Sequence, residues 1–535
     1  MKTEDTIIIT LASDIHVGYG EKKPIRNKDS LITFEEVMKN AVKYESDCVL
    51  LAGDLYHENK PSREMQLEVI RILRKYCLSD KKCPLEFLSS AEENFDHSQF
   101  KTVNYLNPYM SISLPIFTIH GNHDDLSGTG LTALDMLHEA GYLNLFGKFK
   151  DIDNIIISPV IIKKGNTKVA IYGIGSQRDD RLHRAFENGS VIFKRPENND
   201  TYFNILVLHQ NRPRRNFSRR TGGYIPETLI PDFFNLVIWG HEHLSIPELE
   251  LVERRSNDIT HSFYILQPGS TIATSICGEE AGDKNCFILK INKKDFETKP
   301  IKLETVRQMM IDEIVLDVFP DRRKFAKSSV RPKNAPDEAI ITKKVNEMLE
   351  ILHNERLKKQ PMLPLIRLKI TYQDLFTSFP PINPKKFAAF FKDVVANPDD
   401  MFVIKVIKPK EEKPQVNIAS KTFESFCDVS QVVEDYFVKA EEGVELEVIS
   451  EKCIGESLNE YNTSEGTLES INKAFSESLK KQIDMLCNTI YGDGSNLPDH
   501  FDIMEMERKI TDDINAAKRI RKKILKESTT QNIRL

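Results

Sequence analysis

The 535-residue sequence holds eight cysteines but no C-x-x-C pair. That scatter in so long a chain excludes a disulfide-dense secreted scaffold. No apolar run approaches the roughly 18–20 residues that a membrane span needs. The opening MKTEDTIIIT places acids where a signal peptide carries a basic region, so no leader is expected. Glycine and proline, at 23 and 25 residues, are too few for a collagen-like or low-complexity chain. An excess of positive charge is also missing: 74 Lys+Arg against 80 Asp+Glu leave −6. In bulk, that balance argues against a nucleic-acid partner. What remains is a folded, reduced, intracellular protein of roughly two to four domains. Against these absences, the 13 histidines stand out.

Over residues 1–300 one device recurs. A short β-branched or aliphatic run stops abruptly at polar residues, as in TIIITLASDIH, CVLLAGDLYH, LPIFTIHGNHDD, FNILVLHQN and LVIWGHEHL. Such runs read as buried strands. Helical patterns between them, such as Gln66–Cys77 and Leu131–Ala140, imply an α/β class with helices packed on sheets. Seven of the 13 histidines (His16, His57, His120, His123, His209, His241 and His243) fall at or just after strand ends, accompanied by Asp14, Asp54, Asn122 and Asp124. A single strand-end histidine usually packs or caps. Five such segments in one chain point to a site at the carboxyl ends of the strands, where open α/β sheets place their ligands. Carboxylate, imidazole and amide oxygen without thiolate suit manganese, iron or zinc. In D-x-H and G-H-x-H, residues i and i+2 share a face. Two such pairs, a central aspartate and two further ligands match two metals about 3.5–4 Å apart, a clamp for displacement at phosphorus by an activated water.

The segments DIH, GDLYHENKPS, HGNHDD, HQN and WGHEH resemble the calcineurin-like metallophosphoesterases. Within that superfamily they resemble the meiotic recombination 11 family of double-strand-break repair nucleases, the eukaryotic counterparts of bacterial SbcD. The resemblance implies a four-layer α/β/β/α sandwich, a smaller α+β capping domain that clasps DNA, and a C-terminal helical region that grips a partner. It implies that Asp14, His16 and His243 hold one metal, that Asp54 bridges, and that Asn122, His209 and His241 complete the second. By the same resemblance the cofactor is two Mn2+ per subunit, with Mg2+ less favoured. His123 would stabilise or protonate the leaving group. His57 would stand near the scissile phosphate, or else pack its loop; His120 reads as structural, and Asp124 as orienting a ligand or closing its turn.

The serious rival is a protein Ser/Thr phosphatase, which places a basic residue just after the central motif to grip a phosphomonoester. Here Asp54 is followed by LYHENKPS. A nuclease gains instead from wide basic surfaces, and two basic runs are candidates. One comprises Arg212, Arg214, Arg215, Arg219 and Arg220; the other comprises Arg322, Arg323, Lys324, Lys327, Arg331 and Lys333. Each is either a solvated loop or a row of sequence-independent phosphate contacts. A scaffold that only bridges DNA ends is a third reading, but it has no need of a full ligand set.

Boundaries follow composition: a nuclease domain over 1–300, a capping domain over 301–407, a linker over 408–429 containing KPKEEKPQ, and a helical region over 430–535. In the last, Leu468, Ile471, Phe475 and Leu479, then Ile503, Met506, Ile510 and Ile514, are spaced three or four apart. Each set draws one apolar helix face. That face either packs on its own domain or, by the resemblance, docks on the coiled-coil base of an SMC-like ABC-type ATPase. The resemblance also implies a homodimer through helices near Gln66–Cys77 and Gly130–Gly141. Their apolar faces (Leu67, Ile70, Leu73; Leu131, Leu134, Leu137) serve equally well as ordinary core. It implies further a nibrin-type adaptor on the Ser79–Pro108 insertion and action in the nucleus on DNA. The activities implied are a 3′-to-5′ exonuclease on duplex ends and an endonuclease on single-stranded or hairpin DNA.

Overall fold

The computed structural model describes residues 4–124, 130–149, 151, 153–197, 199–213, 223–256, 259–316, 331, 335–373 and 380–407. The chain divides into two units, Met1–Glu411 and Glu412–Leu535, and every described residue belongs to the first. The linker and C-terminal helices expected from the sequence, with Leu468, Ile471, Phe475, Leu479, Ile503, Met506, Ile510 and Ile514, lie outside the described residues.

Two sheets face each other. In the first, β1 (Ile7–Ala12), β2 (Cys48–Leu51) and β3 (Ile116–Thr118) run parallel at the centre. An antiparallel pair, Asn285–Asn292 with Asp295–Lys302, completes one edge. In the second sheet, β4 (Phe203–His209) and β5 (Leu236–Gly240) are parallel neighbours in a seven-stranded array. The period-2 pattern explains the layering. Cys48 and Leu50 of β2 join Ile205 and Val207 of β4 in the core between the sheets. Val49 and Leu51 face outward onto Phe34 and Val37 of α1 (Asp29–Lys43) and onto Val69 and Leu73 of α2 (Arg63–Cys77). On the far side Leu206 and Leu208 meet Leu182 and Ala185 of the helix Asp179–Glu187. The expected four layers are present.

α2 begins three residues before the apolar pattern starts, because the Ser62 side chain accepts from Met65 N and caps a polar first turn. α3 (Ala133–Glu139) lies within the expected Gly130–Gly141, with its start fixed by a Thr132/Asp135 capping box. The first sheet closes only at Lys302, two residues past the expected boundary, because Asn285 pairs with Lys302.

The capping region is a three-stranded sheet, Met309–Leu316, Leu365–Tyr372 and Phe402–Val406, with both pairings parallel. The helix Pro336–Glu355 crosses between the first two strands and packs Ile341, Val345, Met348 and Leu352 on them. A short α-helix over Pro384–Ala388 tightens to a 3-10 turn over Ala389–Phe391. Arg307 fastens this region to the nuclease sheets. Its guanidinium donates to the Asp29 carboxylate, to Ile25 O and across to Leu363 O.

Candidate metal centre

Every segment singled out at a strand end converges on one point. Asp14 and His16 follow β1, Asp54 follows β2, Asn122 and His123 follow β3, His209 ends β4, and His241 and His243 follow β5. The chain bends sharply to bring them in. Of six non-glycine residues with positive φ among those described, four are in this set: Asp14 (51°), His16 (51°), Asp54 (53°) and His241 (79°). Each left-handed residue costs on the order of 1–3 kcal/mol and persists only where its surroundings hold it. Here Asp14 N donates to Gly53 O (3.1 Å), His16 N to Asp54 O (3.0 Å) and His241 N to the Asp14 carboxylate (3.1 Å). Two glycines make the approach possible. A Cβ on Gly121 would lie 2.0 Å from Asp54 Oδ1, and one on Gly53 (φ +97°) would lie 2.5 Å from His209 Nδ1.

Hydrogen bonds fix which imidazole nitrogens are free. His209 Nδ1 is 2.7 Å from Ala52 O, and a carbonyl only accepts, so Nδ1 carries the proton. Nε2 then faces Asn122 Oδ1 at 3.1 Å and Asp54 Oδ2 at 3.3 Å. His241 Nδ1 is 2.8 Å from the same Asn122 oxygen. On the other side His16 Nε2 lies 3.1 Å from His243 Nε2, 3.9 Å from Asp14 Oδ1 and 3.8 Å from Asp54 Oδ2. Asp14 Oδ1 and Asp54 Oδ2 are buried and accept no hydrogen bond from the protein. Two unsatisfied carboxylate oxygens and converging lone pairs demand positive charge between them. Asp14, His16 and His243 form one set of donors close enough to share an ion, and Asp14, Asp54 and His209 form another. The donors fit a pair of divalent cations.

The electrostatics agree. Burial opposes charge on Asp54, but His209 and His16 outweigh it and hold its carboxyl well below the usual range. Burial would depress His209, yet Asp54 and Asp14 drive it up to about 10. Burial keeps His16 well below its ordinary value and also lowers His241.

His123 sits at the cleft wall. Its backbone N–H donates to Asp54 Oδ1 (2.8 Å), and its Nδ1 is 2.6 Å from His57 O, which leaves Nε2 as the uncommitted ring nitrogen. The His57 and His123 rings stack at 4.9 Å, and His57 Nδ1 is 3.5 Å from His16 Nδ1. Asp124 closes its turn: its carboxylate accepts from Leu55 N, Tyr56 N and Gly121 N. Burial and the Asp54 charge raise it to about 7. His120 stays out of the cluster, buried against Gly175 and lowered to about 4 by burial.

Two of the expected DNA contacts need correction. Arg212 is 7% exposed, and its guanidinium is bound to Glu227 (3.0 Å), Glu250 (2.6 Å) and Gln267, over the Trp239 ring. Arg331 is likewise engaged by Asp337 (2.8 Å), Glu338 (3.0 Å) and Pro380 O. Carboxylates satisfy both, from 15 and 38 residues away for Arg212 and from six and seven for Arg331, so neither guanidinium is a loose cation. Arg214, Arg215, Arg219, Arg220, Arg322, Arg323, Lys324, Lys327 and Lys333 lie outside the described residues. Sequence reasoning missed Ser13, which donates to the Asp14 carboxylate, and the group behind His243, made of half-buried Thr274 and buried Glu280 and Lys284. Burial opposes protonation of His243, but Glu280 and Asp14 raise it above its ordinary value. Only the tertiary contacts reveal this group; its one signal in the sequence is a Glu and a Lys four apart.

The fold and site define a metal-dependent phosphoesterase. Residues 7–245 match the calcineurin-like phosphoesterase family, and residues 296–461 match the Mre11 DNA-binding presumed domain. The chain is 46% identical over 505 residues to double-strand break repair protein mre-11 of Caenorhabditis elegans, covering 91% of this chain and 69% of the relative. It is 38% identical to MRE11 of Homo sapiens, covering 86% and 64%. It is 37% identical to mus-23 of Neurospora crassa, covering 90% and 65%. The chain therefore spans about two thirds of the length of these relatives. It belongs to the MRE11 family of double-strand break repair nucleases.

Proposed function

We propose that this chain is a manganese-dependent DNA nuclease acting on broken ends in the nucleus. Its activities would be 3′-to-5′ exonucleolytic on duplex ends and endonucleolytic on single-stranded or hairpin DNA. The observation that carries the reading is the donor set: hard oxygen and imidazole ligands from five strand ends, around two buried carboxylate oxygens with no protein donor. Asp14, His16 and His243 would hold one cation and Asn122, His209 and His241 the other, with Asp54 as the ligand common to both. No thiolate joins them among the described residues, which favours Mn2+ and leaves Mg2+ second because of the imidazoles. When bound, two such ions supply Lewis acidity and an activated water for attack at phosphorus.

The chain's own residues do the rest. Asp54 and Asp14 would supply the negative charge that holds the cations at the strand ends. His123, with Nδ1 committed to a carbonyl, presents Nε2 to the oxygen that leaves and hands it a proton. His57 stacks on His123 and limits its rotation. The cleft, about 1180 Å³, runs from Asp54, Asn122 and His123 past His241 to Leu251, room for an extended strand. Arg212 also lines it, but being paired it offers no grip for a phosphomonoester dianion. This favours a nuclease over a phosphatase.

Leu67 of α2 and Leu131 and Met136 beside and within α3 are exposed, while Leu73, Leu134 and Leu137 pack inward. The outward set supports a homodimer through these helices. Arg214, Arg215, Arg219, Arg220, Arg322, Arg323, Lys324, Lys327 and Lys333 serve as phosphate contacts, and the region 430–535 engages an ABC-type ATPase, with a nibrin-type adaptor on the 79–108 insertion. The purified chain with Mn2+ is expected to cut labelled DNA hairpins and to leave a phosphopeptide intact. Hydrolysis of the peptide without the DNA would overturn the nuclease reading.

A further inference from the structure

The two halves of the site are backed differently. His209 donates from Nδ1 to a neutral backbone carbonyl, Ala52 O. His243 Nδ1 instead meets Thr274 Oγ1 at 2.9 Å and Glu280 Oε1 at 3.3 Å. Thr274 Oγ1 is itself 3.3 Å from Glu280 Oε1. The threonine hydroxyl can therefore accept from the imidazole and donate onward to the carboxylate, so the ring is tied to an anion through one hydroxyl.

Glu280 is built in. It is 5% exposed, and its two oxygens accept from Thr274 N (2.8 Å) and Ser275 N (3.0 Å). Lys284, 3% exposed, lies 3.6 Å from the other side of the carboxylate. The same ammonium donates to Ser270 Oγ (2.8 Å) and to His243 O (3.2 Å). One lysine thus fixes both the main chain of His243 and the acceptor of its ring. A charged pair this deep costs desolvation unless its remaining hydrogen bonds are met, and here they are. The carboxylate thus holds the main chain of Thr274 and Ser275 while one of its oxygens also faces His243 Nδ1. The loop is also held from the capping side, where Arg367 donates to Ile276 O (2.7 Å).

We infer that Glu280, acting through Thr274 and held by Lys284, is a positioning group that makes the two cation sites unequal. It fixes the Nδ1–H tautomer of His243 and aims Nε2 at Asp14 Oδ1 3.6 Å away, with an anion behind the ring where His209 has a neutral carbonyl. The cation held by Asp14, His16 and His243 is consequently bound more tightly than the one held by Asn122, His209 and His241. The inference rests on the two-cation reading given above.

Calorimetric titration of the full 535-residue chain with Mn2+ alone, without DNA, tests it. The wild type is expected to show two resolved binding steps. Glu280→Gln, which keeps the shape and removes the charge, weakens the tighter step about 10- to 100-fold and leaves the weaker one unchanged. Thr274→Val does the same, and Thr274→Ser retains wild-type binding because it keeps the hydroxyl. If both steps are unchanged in Glu280→Gln and Thr274→Val, or if both fall together, the positioning role is wrong. A wild type that takes up no Mn2+ sinks the two-cation reading itself, which the variants alone could not do.

Discussion

The half of the site around His243 and the half around His209 hold the same kinds of donor but are electrostatically unlike. Asp14 is near both, 3.6 Å from His243 Nε2 and 4.0 Å from His209 Nε2, but the first has an imidazole backed by the Glu280 carboxylate and Thr274. The second has the neutral amide of Asn122 and an imidazole backed by a peptide carbonyl. Asp54 stands between them, 3.8 Å from His16 Nε2 and 3.3 Å from His209 Nε2. The difference teaches that ligand identity alone does not set a metal's affinity; what stands behind each ligand also does.

The sharpest way to break the comparison is to remove what the halves share. Asp54→Ala is expected to abolish both Mn2+ binding steps at once, measured by calorimetry, and with them nuclease activity. Loss of one step only would show that Asp54 belongs to one half and does not bridge. Next in size is His123→Asn, a change in neither half. We expect kcat on DNA hairpins to fall by about 10²–10⁴-fold, the usual contribution of a proton donor, while Mn2+ uptake and DNA affinity stay as in the wild type. A fall in metal content would make His123 a ligand instead.

The smallest effect concerns the cleft wall. Arg212→Met leaves Glu227 and Glu250 without their partner and should lower stability by roughly 1–3 kcal/mol, read as a drop in Tm. The dependence of DNA binding on log salt should not change. Arg219→Ala with Arg220→Ala, by contrast, should reduce that slope by about 1–2. A changed slope for Arg212→Met would put its guanidinium back on the DNA.

The site was more legible in the sequence than the surfaces around it. D-x-H, G-D, G-N-H-D and G-H-x-H each sit where a buried β-branched run stops, and both signals are local. The parallel pairing of β1, β2 and β3, and of β4 with β5, then carries their ends to one place. Arg212 was misread because its neighbours in sequence are basic, whereas its partners Glu227, Glu250 and Trp239 arrive from other strands and loops. Arg331 was misread for a related reason: Asp337 and Glu338 lie six and seven residues on, at the start of a helix. The extra turn of α2 was hidden by its polar start, where Ser62 and not an apolar residue sets the boundary.

The sequence by itself determined the strand ends, the donor types and therefore the class of chemistry, because hydrophobic periodicity and ligand spacing are both short-range properties. The near-neutral total charge said little, since charge acts locally and is cancelled or left free by its neighbours in space. Only the tertiary structure decided which lone pairs face each other, which carboxylate oxygens go without a donor and which arginines are already paired. It also placed Thr274, Glu280 and Lys284 behind His243, some 30 to 40 residues along the chain. Those are distances of a few ångströms between groups from separate segments, and no local pattern in a chain encodes them.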